Sequence, residues 1–254
     1  MLSVTTGPAR LVFKRFAPET SGTLFPNSPT DEARALERLA GLDVAPRLVG
    51  FWADLSLMVY DYVEGRPWQS GTADVARLLL RKEAANAVGF RPVPLDPAGI
   101  LAEGDALFAR CTAPPLGRRP TPCDLPPPSR LSLIHTDLGP GNLVGHGPGM
   151  RIIDWQCPAA GDLAEDIYSF LSPAFQILSE HAPLTPAEGA EFWTVFANRP
   201  DLHARYTVLR PFYAWRMAAY CLWRSETRPE PEIRARYATA FAAELAHMDS
   251  HDAD

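Results

Sequence analysis

Leu133-Ile134-His135-Thr136-Asp137-Leu138-Gly139-Pro140-Gly141-Asn142-Leu143-Val144 is the stretch on which the reading of this chain turns. It opens on an apolar, strand-like run, Leu131 to Ile134, and continues into polar residues held in a glycine- and proline-containing loop. Its polar spacing is H-x-D-x-x-x-x-N. Twelve residues after Asn142 comes Asp154, at the end of a second apolar run, Arg151 to Ile153, and followed by Trp155. Both runs suit short buried strands beside a site, and loops anchored by such strands hold functional groups still.

Outward from this segment, the N-terminal part reads as strands with one helix. Residues 2–6 and 10–16 form strands around the turn Gly7-Pro8-Ala9, the second carrying Lys14. Ser28-Pro29-Thr30-Asp31 is a helix start: Ser28 as N-cap, Pro29 at the first helical position, Asp31 closing a capping box. That helix runs to about Ala40, and Gly41 suits its end. On a helical wheel, with Glu32 at zero, Leu36 falls at about 40° and Leu39 at about −20°. Glu32 therefore lies in the middle of the apolar stripe, whereas Glu37, near 140°, lies off it. A carboxylate facing a core is costly unless paired, and Lys14 is the expected partner. Residues 47–52 and 56–62 read as two further strands, and Gly65-Arg66-Pro67 ends this part. The rest is mainly helical: 72–88, 96–110, 162–178, 186–197, 201–225 and 230–248. Twenty-six prolines, many between Pro92 and Pro128, mark loops between helices.

Composition narrows the class. The chain has 254 residues, enough for one large domain or two lobes with a substantial core. With 24 Lys+Arg against 30 Asp+Glu, the formal net charge is −6, which disfavours nucleic acid as a partner. Cys111, Cys123, Cys157 and Cys221 form no C-x-x-C pair, so they read as reduced thiols of a cytoplasmic protein rather than zinc ligands. No run reaches the roughly 18 to 20 apolar residues of a membrane span, and the N-terminus lacks a secretion signal.

The H-x-D-x-x-x-x-N segment resembles the catalytic loop of the protein-kinase-like superfamily. Thr136, the Gly139-Pro140-Gly141 run before Asn142 and the Asp154-Trp155 pair are more similar to one branch, the aminoglycoside phosphotransferase and choline kinase family. Leu57-Met58-Val59-Tyr60-Asp61-Tyr62-Val63-Glu64-Gly65 resembles that family's hinge between lobes. Gly161-Asp162 and Asp166-Ile167 resemble its G-D-x-x-x-D-L stretch, so the likeness covers roughly residues 10 to 170. The resemblance implies a two-lobed α+β fold, with an antiparallel N-terminal lobe over residues 1–65 and a mainly helical lobe over 66–254. It implies transfer of a phosphoryl group from ATP to a hydroxyl of a small molecule with the help of Mg²⁺. That chemistry asks the protein for positioning, charge neutralisation and oxygen ligands for a hard cation.

Residue by residue, the resemblance makes Asp137 the catalytic base or hydroxyl-orienting group, and Asn142 and Asp154 the metal ligands. Lys14, paired with Glu32, would contact the phosphates, and adenine would lie against Tyr60, Asp61 and Val63. His135 and Asp166 would support the loop. Trp155 is the candidate wall of the acceptor site. Asp162 has two readings, substrate contact or helix N-cap, and Lys14 has a second one as a snorkelling edge-strand lysine. Phe212 to Arg216, with Tyr220 and Trp223, reads either as a cage for an ammonium group or as core. The acidic stretch Asp162, Glu165, Asp166 favours an amine-bearing acceptor such as an amino sugar, aminoglycoside or amino alcohol.

One part of the family pattern is not met. Thirteen residues precede Lys14, with Gly7 their one glycine. That is room for a single hairpin, so the N-terminal lobe is expected to be truncated at its start unless Thr5-Thr6-Gly7 substitutes for the phosphate-covering loop. The alternative reading is a kinase-like nucleotide-binding module that is catalytically weak or inactive. No Ala-Pro-Glu segment follows Asp154, which argues against a protein kinase.

Overall fold

The computed structural model describes residues 2–6, 9–16, 23–113 and 118–249. The turn expected at Gly7-Pro8 lies outside them. The chain divides into two compact units, residues 1–92 with 131–163, and residues 93–130 with 164–254.

The first unit is built on a four-stranded antiparallel sheet of β1 (Leu2–Thr6), β2 (Ala9–Arg15), β3 (Leu48–Trp52) and β4 (Leu57–Asp61), in the order β1-β2-β4-β3. Lys14 pairs with Met58 across the β2–β4 ladder. Helix α1 (Pro29–Leu39) starts and ends where the sequence signal puts it, but Asp31 closes no capping box, because the Ser28 N–H donates to the Gln156 carbonyl. The Ser28 hydroxyl accepts from the Asp31 N–H, and Gly41 takes a left-handed φ of 82° just beyond the helix end. Its buried face is Glu32, Ala33, Ala35, Leu36 and Leu39, while Glu37 is exposed.

Helix α2 (Thr72–Lys82) is shorter than the 72–88 span its periodicity suggests. Past Lys82 the Asn86 side chain accepts from the Val88 N–H at 2.8 Å and Gly89 adopts a φ of 90°, local geometry that competes with helix. The division into units does not fall at residue 65. The Trp68 N–H donates to the Leu143 carbonyl at 2.9 Å, and the buried Lys82 ammonium donates to the Leu133 carbonyl at 2.7 Å. These bonds tie the segment after β4 to two short strand pairs: β5 (Ser132–Ile134) with β8 (Ala159–Gly161), and β6 (Leu143–Val144) with β7 (Arg151–Ile152).

The second unit is helical: α3 (Pro97–Phe108), most of α4 (Leu163–Leu171), α5 (Pro173–Leu178), α6 (Pro186–Thr194), α7 (Pro200–Thr227) and α8 (Pro231–Asp249). The single helix expected over 162–178 is two, because Pro173 cannot continue α4 and Ser172 caps a new start. Helix α7 packs against α3 and α8. At Gly104 the α3 backbone comes so close to α7 that a Cβ would lie 2.7 Å from the Trp215 ring and 3.1 Å from the Arg216 Cα. The Glu244 carboxylate of α8, fully buried, accepts from the Ala174 N–H at 3.1 Å, from the Tyr168 hydroxyl at 3.0 Å and from the Ser172 hydroxyl, so α8 caps the start of α5. No helix among the described residues is long and apolar enough to cross a membrane.

Candidate active site

The residues the sequence singles out for chemistry come together within the first unit. Strand β5 delivers His135, Thr136 and Asp137. A short turn over Pro140–Asn142 then leads into β6, whose Leu143 pairs with Ile152 of β7. The Ile153 N–H donates to the Asn142 carbonyl at 2.9 Å, so the register sets Asn142 opposite Ile153 and beside Asp154. The Asn142 amide nitrogen donates to the Asp137 carbonyl at 2.7 Å. That bond fixes the amide's orientation and leaves Oδ1 as a free acceptor.

The loop is supported from behind. The fully buried His135 donates from Nε2 to the Ile153 carbonyl at 3.0 Å and stacks edge-on against Trp155, ring centroids 4.7 Å apart. This ties the Asp137 loop to the Asp154 loop. Thr136 has a φ of 65° and Asp154 a φ of 61°. Positive φ at a β-branched residue is a genuine outlier, and backbone strain of this kind costs on the order of 1–3 kcal/mol. The Thr136 hydroxyl holds its strained backbone in place by donating to the Cys157 carbonyl at 2.8 Å. Burial pushes the Cys157 thiol well above its ordinary pKa, with the charge of Asp137 adding to the rise, so it is a protonated packing group and not a nucleophile.

Lys14 reaches this site from β2. Its ammonium pairs with Glu32 at 2.6 Å and also with Asp154. Glu32 is 1% exposed, and the Ser28 N–H that opens its helix donates to the Gln156 carbonyl at 2.9 Å, which ties α1 to the Asp154 segment. Burial works against the Lys14 charge, yet Glu32 and Asp154 outweigh it and raise its pKa. Burial also lifts the Glu32 carboxyl to about 7, Lys14 offsetting only part of the rise. The two shifts are compatible because one ammonium cannot neutralise two carboxylates. Half-buried Asp137 is pushed up to about 7, first by burial and then by the charge of Asp154.

The donor set fits a hard divalent cation. A carboxylate oxygen of Asp154 not taken by Lys14 and the freed Oδ1 of Asn142 are oxygen donors on adjoining strand ends, of the kind Mg²⁺ prefers, and would be the residues to hold it. A bound Mg²⁺ would neutralise phosphate charge here.

Two expectations need correction. Trp155 has no exposed surface and donates from Nε1 to the Ile152 carbonyl at 3.0 Å. It cannot form a wall of an acceptor site and instead packs under the loop. Asp162, 2% exposed, likewise presents no open face to a substrate. Asp166 is fully buried in α4. Tyr60 is buried in β4. The Asp61 N–H donates to the Arg47 carbonyl at 3.0 Å, and its carboxylate pairs with the Arg47 guanidinium at 2.8 Å. Val63, half-buried, lies just past the strand. The supporting roles of Thr136 and Cys157 and the Lys14–Asp154 pair are missed by the sequence reading. The first two carry no signal beyond their place in the loop, and the pair joins residues 140 positions apart.

This two-lobed α+β architecture is the protein-kinase-like fold. It is similar to a choline/ethanolamine kinase family protein from Mesorhizobium loti, with a TM-score of 0.67 and 14% identity over 98% of this chain and 85% of that one. It is also similar to a choline kinase from Streptococcus pneumoniae, with a TM-score of 0.61 and 16% identity over 96% and 89% of the two chains; that kinase has also been solved in complex with AMP. By sequence, a thiamine kinase of Escherichia coli O17:K52:H18 is 29% identical over 168 residues, 63% of this chain. The chain spans only 60% of that thiamine kinase's length. The model of the APH phosphotransferase enzyme family matches residues 2–206, and the chain belongs to that family.

Proposed function

We propose that the chain transfers the γ-phosphoryl group of ATP to a hydroxyl of a small, amine-bearing molecule. The observation that carries the reading is the joining of Asp137, Asn142 and Asp154, on two loops with positive-φ residues, to Lys14 of β2 and Glu32 of α1 in one cluster. Asp137 accepts the acceptor's hydroxyl proton as the new O–P bond forms and the bond to the ADP leaving group breaks. Lys14, held by Glu32, meets the α- and β-phosphates. Asn142 and Asp154 hold Mg²⁺. The hinge at Tyr60, Asp61 and Val63 takes the adenine. Use of ATP supports a cytoplasmic location.

An amine-bearing acceptor is supported by the relatives: the similar proteins are named for thiamine and choline, both alcohols with a permanent positive charge. The aromatic stretch of α7 lends no support, because Phe212, Tyr213, Trp215 and Tyr220 are buried in the core and the Trp223 ring is already covered by the Arg110 and Arg224 guanidinium groups.

The test is ADP release with Mg²⁺ and ATP across a panel of choline, ethanolamine, thiamine and aminoglycosides. Release is expected with one acceptor class, together with its phosphate ester, and not with the matching hydroxyl-free analogue. ADP release that ignores the acceptor, or labelled phosphate appearing only in proteins, rejects the reading.

A further inference from the structure

A cleft of about 590 Å³ lies wholly within the second unit, walled by α6, the first half of α7 and the end of α8. It falls in the size range of small-molecule sites, roughly 300–1,000 Å³. It shares no residue with the cluster around Asp137, and its chemistry is different. Trp193, Tyr206 and His203 supply ring surface, Thr207 a hydroxyl, and Arg210 and His247 further nitrogen donors. Among the described residues that line it none is acidic, although the chain as a whole carries a net charge of −6.

The acids nearby are engaged elsewhere. Glu188 of α6 closes a capping box with Thr185, its carboxylate accepting from the Thr185 N–H at 2.8 Å and hydroxyl at 2.7 Å. Glu244, whose charge Arg210 feels, already receives donors from Tyr168, Ser172 and Ala174. Among the described residues, the Arg210 guanidinium makes no hydrogen bond or ion pair. Burial lowers its pKa, and Tyr206, Tyr168 and Glu244 offset this only in part. A half-buried guanidinium without a bonded anion is costly, and it binds planar oxyanions in a bidentate fork. The ring surface beside it is continuous. Trp193 lies 4.4 Å from His203 and 5.0 Å from Tyr206, centroid to centroid.

We propose that this cleft binds a small planar organic anion, with an aromatic or heteroaromatic ring against Trp193 and Tyr206 and a carboxylate or phosphate on the Arg210 guanidinium. The site is independent of the phosphotransfer reading. Its test is calorimetric titration of the full chain with indole-3-carboxylate, with phenyl phosphate and with the neutral indole-3-carboxamide. At least one anion is expected to bind 1:1 with a Kd below about 1 mM, and the carboxamide about tenfold or more weaker. Which anion binds decides between carboxylate and phosphate.

Arg210→Gln is expected to weaken binding about tenfold or more while keeping the wild-type circular dichroism spectrum. Thr207→Trp, an exposed position on α7, fills the cleft without changing charge and is expected to block binding. It also separates this site from phosphate binding near Lys14, which it leaves intact. The proposal is overturned if neither anion saturates, if the carboxamide binds equally well, or if either variant binds as wild type does. Should Arg210→Gln fail to fold, Thr207→Trp alone decides.

Discussion

Two buried cations in this protein have nearly the same surroundings and different meanings. Lys14 faces Glu32 at 2.6 Å and also Asp154; Arg216 of α7 faces Glu165 at 2.6 Å and Glu103 at 2.8 Å. In each cluster one carboxylate is buried and the other partly open, with side-chain exposures of 1% and 32% around Lys14, and 3% and 40% around Arg216. In each, burial opposes the cation's charge and the two carboxylates outweigh it. Electrostatics alone does not tell them apart. The backbone does. Glu103, Glu165 and Arg216 lie on regular helices, whereas Asp154 is held at a φ of 61° and Thr136, next to Asp137, at 65°. A strained loop that brings one member of a buried ion cluster beside an open oxygen acceptor supports a chemical role for it. On regular helices it is packing with charge.

The largest effect expected from that contrast is at Asp137. Asp137→Asn keeps the shape and removes the base, so kcat should fall about 10²- to 10⁴-fold, the contribution of a positioned acid–base group. Its melting temperature should match or exceed wild type, since the substitution removes a carboxyl that burial disfavours. Steady-state kinetics with a thermal melt checks both halves. Undiminished kcat rejects Asp137 as the base.

Arg216→Met is the mirror experiment. It strands Glu165 without its partner inside the helical unit, and removing one member of a buried pair costs about 3–5 kcal/mol. Denaturant unfolding should show that loss, while kcat per folded molecule stays within about twofold of wild type, because Arg216 touches none of the reacting groups. A large kcat loss at unchanged stability would place Arg216 with the catalytic cluster and collapse the comparison.

What the sequence reveals of the two clusters follows from how local each is. The Lys14–Glu32 pair is legible because the Ser28-Pro29 start fixes the helix phase, and the phase puts Glu32 among Ala33, Leu36 and Leu39. Asp137, Asn142 and Asp154 are legible as a spaced motif between two apolar runs. Arg216 with Glu165 is not, because 51 positions separate them and nothing in either helix's pattern names the other. Trp155 misleads for a related reason. Adjacency to Asp154 in sequence suggests adjacency to substrate, but the positive φ at Asp154 turns the next side chain inward beneath His135. The break at Pro173 is a local signal outweighed by the apolar periodicity on both sides of it.

A smaller effect tests a third buried acid, Glu244, which belongs with Arg216 on the packing side. Burial lifts its carboxyl from 4.5 to about 7 despite three donors. Between those values the folded chain holds a proton that the unfolded chain has released, so folding stability falls as pH rises through that window and levels off above it. Glu244→Gln has no such proton. The difference in unfolding free energy between the two proteins should change by up to about 3 kcal/mol from pH 4.5 to 7. Parallel profiles would mean that Glu244 is ionised throughout.

Between the two buried cations, the smaller stability effect is expected at Lys14. Lys14→Met also removes a buried cation facing two carboxylates, so the electrostatic likeness alone predicts a loss as large as that of Arg216→Met. The surroundings predict otherwise. Glu32, already at about 7 with Lys14 present, takes up a proton at neutral pH once the ammonium is gone. Asp154, about one third exposed, is left to water. The methionine fills the space of the lysine stem. Stability should therefore fall by only about 1 kcal/mol, and more steeply above pH 7, where Glu32 must ionise unpaired. The cost appears in function instead. Losing a charge-assisted bond to the phosphates, worth about 1.5–3 kcal/mol, should raise KM for ATP about 10- to 100-fold. If Lys14→Met unfolds as readily as Arg216→Met while KM for ATP stays put, the two cations are both structural and the site has been assigned to the wrong cluster.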